Sequence, residues 1–112
     1  MAEGLRRAAI VARLNDRLRK TGGGGEIYLS RGVAALPIET QLEIFLAVQM
    51  FADFSPENDP HGEHDCASLS ALGQRIIWKI DYYHSGLKFH SRDPASSALT
   101  RRVLTVMLAE EY

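Results

Sequence analysis

Cysteine is almost missing from this sequence. Cys66 stands alone among 112 residues, so no internal disulfide can form and a small secreted scaffold held by disulfides is excluded. Long apolar runs are missing too. None approaches the ~18 residues of a membrane-spanning helix, and the stretch at residues 8–12 is too brief for the core of a signal peptide, so a cytoplasmic setting is expected. Neither sign of charge dominates, with 13 basic against 14 acidic side chains, and the 46% hydrophobic content rules out bulk disorder. What is present suffices for one compact domain with its own core.

Residues 2–20 are predicted to be a helix, because Ile10, Val11, Leu14 and Leu18 fall in one arc at ~100° per residue. Arg6, Arg13, Arg17 and Lys20 form an adjoining stripe. Four glycines at 22–25 then stop the helix. The expected organisation is a basic amphipathic helix at 1–21, a glycine joint at 22–25 and a single α+β domain at 26–112. Residues 26–30 alternate as a short strand. Pro37 suits the first turn of a helix over 37–51, with Ile38, Leu42, Phe45 and Leu46 on its core face, Ile44, Val48 and Phe51 widening that face, and Glu39, Glu43 and Ala47 toward solvent. Two prolines make residues 53–61 a loop. Strands at 63–71 and 74–83 hinge at Leu72-Gly73, the second placing Ile76, Trp78, Ile80 and Tyr82 opposite Ile77, Lys79, Asp81 and Tyr83. A turn at 84–86 leads to a short strand at 87–89. Asp93-Pro94 reads as the cap and first residue of a final helix carrying Leu99, Val103, Val106 and Met107. The expected fold is α+β: three helices on one face of a small, mostly antiparallel sheet, in the order α-β-α-β-β-(β)-α.

Chemistry-bearing side chains are densest in Asn58-Asp59-Pro60-His61-Gly62-Glu63-His64-Asp65-Cys66. A zinc site on His61, His64 and Cys66 would match no standard spacing, so no metal and no cofactor is expected. A metal-dependent hydrolase using Glu63, His64, Asp65 and Asp81 is the enzymatic alternative, but metal-dependent nucleases place an acid two residues before the lysine, and Lys79-Ile80-Asp81 runs the other way. A plain ion pair explains it as well. The tetraglycine lacks the Gly-Lys-Ser/Thr of a phosphate loop.

Charge is divided along the chain. Residues 1–20 hold six basic and two acidic side chains, +4, whereas the remaining 92 hold seven basic and twelve acidic, −5. Nucleic-acid binding through Arg6, Arg13, Arg17 and Lys20 is therefore a second alternative, and membrane attachment is not expected, since the apolar arc has neither Trp nor Phe. The leading expectation is a non-catalytic protein-binding or regulatory domain. Its surfaces would be the polar loop with Asp59, Glu63, His64 and Asp65, the strand face with Lys79, Asp81 and Tyr83, and the basic stripe. A protein partner is expected, with a homodimer left open.

Asn58-Asp59-Pro60, Gly62-Glu63-His64-Asp65, Trp78-Lys79-Ile80-Asp81-Tyr82-Tyr83, Ser91 with Asp93-Pro94, and Thr100-Arg101-Arg102-Val103-Leu104-Thr105 ending in Leu108-Ala109-Glu110-Glu111-Tyr112 together resemble a family of small proteins of unknown function. It is found mainly on alphaproteobacterial chromosomes and plasmids. The resemblance spans about residues 12–112 and implies one domain and a bacterial source. In similar sequences the positions of His61 and Cys66 are commonly aromatic, while Glu63, His64 and Asp65 belong to the pattern. The setting on mobile elements implies a small inhibitor or regulator of a host or defence protein, of the anti-CRISPR kind, acting by occlusion.

Overall fold

A computed structural model describes residues 2–84 and 90–112. Helix α1 (Ala2–Thr21) leads into strand β1 (Gly25–Leu29), a one-turn helix α2 (Arg31–Ala34) and helix α3 (Ile38–Met50). After a long loop come β2 (Cys66–Ala71), β3 (Gln74–His84), β4 (Thr100–Leu108) and a 3-10 turn, Ala109–Glu111. The sheet order is β1-β4-β3-β2, with β1 parallel to β4 and the other two pairings antiparallel. The α+β class and a mostly antiparallel sheet are thus present, with three α-helices among the described residues, the one-turn α2 making the third where a C-terminal helix was expected. The expected strand at 87–89 lies outside the described residues.

The β2–β3 hairpin turns on Leu72 and Gly73, both at positive φ (49° and 76°), the pair a two-residue turn needs to follow the strand twist. Period-two alternation then sorts the side chains. Ile76, Trp78 and Ile80 of β3 lie beside Leu104 and Val106 of β4 in the core, joined by Leu18 of α1, Val33 of α2, and Ile44 and Val48 of α3. All three helices therefore cover one face. The other face carries Ile77, Lys79, Asp81 and Tyr83 beside Val103, Thr105 and Met107.

Two expectations are corrected here. The C-terminal segment is the strand β4, and a helix does not form: Arg102, Leu104 and Val106 are buried at alternate positions, and the β-branched residues Val103, Thr105 and Val106 favour extended backbone. The apparent cap at Asp93 belongs to a turn, where the Ser96 N–H donates to the Asp93 carbonyl (2.9 Å). In α3 the buried side is Ile44 and Val48, the residues expected only to widen the core face, whereas Ile38, Leu42 and Leu46, expected at its centre, are exposed.

The ends are tied together. The Glu111 carboxylate accepts from the Ser30 hydroxyl (2.6 Å) and from the Gly32 and Leu108 N–H groups (both 2.9 Å), bracing the start of α2, and these bonds, the one from Ser30 foremost, hold its carboxyl below the usual range. Gly22 to Gly25 form a tight turn. The Gly22 N–H donates to the Leu18 carbonyl (2.8 Å), and Gly25 passes so close to β4 that a methyl there would collide with the Arg102 carbonyl.

Candidate functional site

Pro56 and Pro60 keep the segment after α3 out of regular structure, and its polar residues fold it on itself. The Ser55 N–H donates to Asn58 Oδ1 (2.8 Å), and Asn58 Nδ2 donates to the Asp53 carbonyl (2.7 Å). Gly62 and His64 then take positive φ (67° and 55°) and swing the chain inward, while the buried Asp59 carboxylate accepts the His64 N–H (3.2 Å). Strand β2 consequently starts at Cys66 rather than at Glu63. Glu63 and His64 are delivered to α1.

There they enter a polar network between α1 and the sheet. Asn15, fully buried, donates through Nδ2 to the Glu63 carbonyl (3.0 Å) and to the Tyr82 hydroxyl oxygen (2.8 Å), and its Oδ1 accepts from Arg102 Nε (3.0 Å). Tyr82 donates onward to Glu63 Oε1 (3.1 Å), and burial pushes its phenol far above the ordinary value, so it keeps the proton it donates. The Arg102 guanidinium lies over the Tyr82 ring, 5.6 Å from its centroid. His64 Nδ1 sits 2.9 Å from Asp16 Oδ1 and must carry the proton, because a carboxylate only accepts. Its ring stacks on Phe54 at 3.9 Å. Asp16 also accepts from Arg19 Nη2 (3.1 Å), whose Nη1 donates to the carbonyls of Val48, Gln49 and Phe51 at the end of α3. Asp59, Glu63 and His64 are engaged inside the fold, fastening α1 to the sheet.

The remaining sequence-derived residues lie elsewhere. Lys79 and Asp81 form an ion pair (2.9 Å) on the helix-free face, beside a depression of about 440 Å³ that Asp65, Cys66 and Tyr112 also line. The hydrolase set Glu63, His64, Asp65 and Asp81 is thereby split, with Glu63 and His64 turned to α1 and Asp65 and Asp81 on the helix-free face. Burial, then the neighbouring Asp65 and Asp59, push the Cys66 thiol up, away from a reactive thiolate. Among the described residues no three His, Cys, Asp or Glu side chains gather to hold a metal. Tyr83 stacks on His90 at 5.5 Å. Arg6, Arg13, Arg17 and Lys20 are exposed on α1.

Asp65 gives a pH prediction. Burial, assisted by the nearby Asp59 and Asp81, raises its carboxyl above the ordinary value. The folded state then holds this proton to higher pH than the unfolded chain, so the ionised group weakens the fold as pH rises above about 4. Asp65→Asn is expected to melt higher than wild type at pH 7, the gap closing toward pH 3. A melting series in which the gap is flat with pH would contradict this.

The protein-family model described as "Protein of unknown function (DUF3768)" matches residues 29–111. The chain belongs to this family. No curated protein and no solved structure matches it. The DUF3768 match takes in α2, α3 and β2 to β4, while α1 precedes it and still supplies Asn15, Leu18 and Arg19 to the interior. Among its described residues no helix is long and apolar enough to cross a membrane.

Within the DUF3768 region lies the surface that sequence reading assigned to the core. Ile38, Leu42, Leu46 and Met50 follow one another at four-residue spacing along α3 and are 60%, 62%, 48% and 72% exposed. Ile38 and Leu42 also border a shallow groove of about 290 Å³, completed by Phe45 and Gln41 and, from β1, Ile27 and Leu29. β1 is an edge strand there. The pattern carried a signal: the apolar residues of α3 spread over more of its circumference than one packed face can absorb.

Proposed function

We propose that this DUF3768 protein is a protein-binding module that seats its partner on the apolar side of α3, next to the β1 edge. The unbroken exposed row of Ile38, Leu42, Leu46 and Met50 carries this reading. Single exposed leucines are ordinary, whereas a contiguous apolar surface on a small domain marks an interaction site. The polar loop, by contrast, spends Asp59, Glu63 and His64 on its own fold. Such a module acts by occlusion or scaffolding and needs no catalytic group. A bacterial, mobile-element inhibitor of a host or defence protein, of the anti-CRISPR kind, would work through this face.

Leu42→Glu/Leu46→Glu tests it. Both side chains point to solvent, so melting should shift by no more than a few degrees. A partner recovered from the native host and purified should bind the variant at least 100-fold more weakly, since each leucine buried at an interface is worth about 1.5–3 kcal/mol. Lys79→Ala/Tyr83→Ala, on the opposite face, should bind as wild type does. Equal binding by wild type and the leucine variant would overturn the proposal.

A further inference from the structure

We infer that the element seated on this face is an amphipathic helix whose apolar ridge is bordered by lysine or arginine; this assignment rests on the protein-binding reading above. Shape selects a helix. Ile38 to Met50 spans about 18 Å at 1.5 Å per residue, and side chains four apart form the ridge that packs against another helix. The groove beside it, floored by Ile27 and Leu29 of β1, offers that helix a second wall. A strand added to the β1 edge would meet only the groove residues Ile38, Leu42 and Phe45, leaving Leu46 and Met50 in water.

Charge selects the flanks. Glu39 and Glu43 form the row next to Ile38 and Leu42, both exposed and in no ion pair among the described residues, and α3 contains no lysine or arginine. Glu26 on β1 differs, being paired with Arg101. A basic border on the incoming helix would meet Glu39 and Glu43 at the rim, where opposite charges steer and orient a partner. A second copy of α3 would instead oppose carboxylate to carboxylate. That argues against self-association through this face.

The test is a selection of displayed random 18-residue peptides on the full chain, counter-selected on Leu42→Glu/Leu46→Glu. The expected pool has leucine-like residues at helical spacing with lysine or arginine beside them. Its members should bind Glu39→Lys/Glu43→Lys about tenfold or more weakly, and bind wild type more weakly as salt rises. A pool alternating with period two, which would mean addition to β1, overturns the inference, as does an acidic or neutral pool or no enrichment. A concentration-dependent dimer abolished by Leu42→Glu/Leu46→Glu overturns it as well, by showing a second copy on the face. If a native partner is lost from the leucine variant but contacts the face through something other than a basic helix, this inference fails and the protein-binding reading stands.

Discussion

Arg19→Ala is expected to lower the unfolding free energy by about 3–5 kcal/mol, enough to threaten folding at 37 °C in a domain of this size. The guanidinium is 1% exposed and donates to the carbonyls of Val48, Gln49 and Phe51 at the C-terminal end of α3, where only Val48 has a further backbone donor, the Phe51 N–H (3.3 Å), among the described bonds of that helix end. It also lies 5.2 Å from the centre of the Trp78 ring and 5.5 Å from that of Phe54. Alanine leaves buried acceptors unsatisfied, at about 1–3 kcal/mol each when water cannot reach them, and opens a void beside Trp78. Denaturant unfolding should show a lower midpoint with an unchanged slope, and a melting temperature reduced by roughly 15–25 °C. Arg19→Lys should fall between, since it keeps the charge and loses the planar fork. A loss below about 1 kcal/mol for alanine would show that the three bonds are replaceable by solvent.

The second large effect concerns Gly25. A methyl at this position would overlap the Arg102 carbonyl oxygen and lie 2.9 Å from Leu18 Cδ2 and 3.1 Å from Arg102 Cβ. Backbone cannot rotate aside as a side-chain tip can, so β1 must move off β4, and Gly25→Ala is expected to cost about 2–3 kcal/mol. Thermal melting of the single variant reads the effect. Amide exchange would locate it, with faster exchange across the β1–β4 pairing and little change in the β2–β3 hairpin. An unchanged melting temperature would refute the close approach.

Much of the architecture is written in local patterns. The spans of α1 and α3, the Leu72-Gly73 turn and the two faces of β3 all follow from periodicity and turn chemistry. β4 was hidden by its own exception. Arg102 sits at a core position, and a charged residue there breaks the alternation and leaves the weaker helical spacing of Leu99, Val103 and Val106 in view. Its burial becomes legible only once Asn15, 87 residues away, is known to accept from it. The face of α3 was only half legible: Glu39 and Glu43 mark a solvent side, but the apolar residues spread around the rest of the helix, and the pattern did not separate the buried Ile44 and Val48 from the exposed Ile38, Leu42 and Leu46. For Glu63 and His64 the sequence showed polar groups in one place, and whether they serve a ligand or the fold depended on positive φ at His64 and on a helix nearly fifty residues earlier.

The sheet order has a consequence for biosynthesis. β4 lies between β1 and β3, yet it is translated after both, and its parallel register matches Gly25 with Arg102. At 5–20 residues per second the ribosome takes about 4–15 s to travel from one to the other. Throughout that interval β1 has no neighbour to pair with, since β4 is the strand beside it. Closure of the sheet must wait for the strand that bridges its two halves, so a chain cut short before Thr100 lacks the strand on which both β1 and β3 pair.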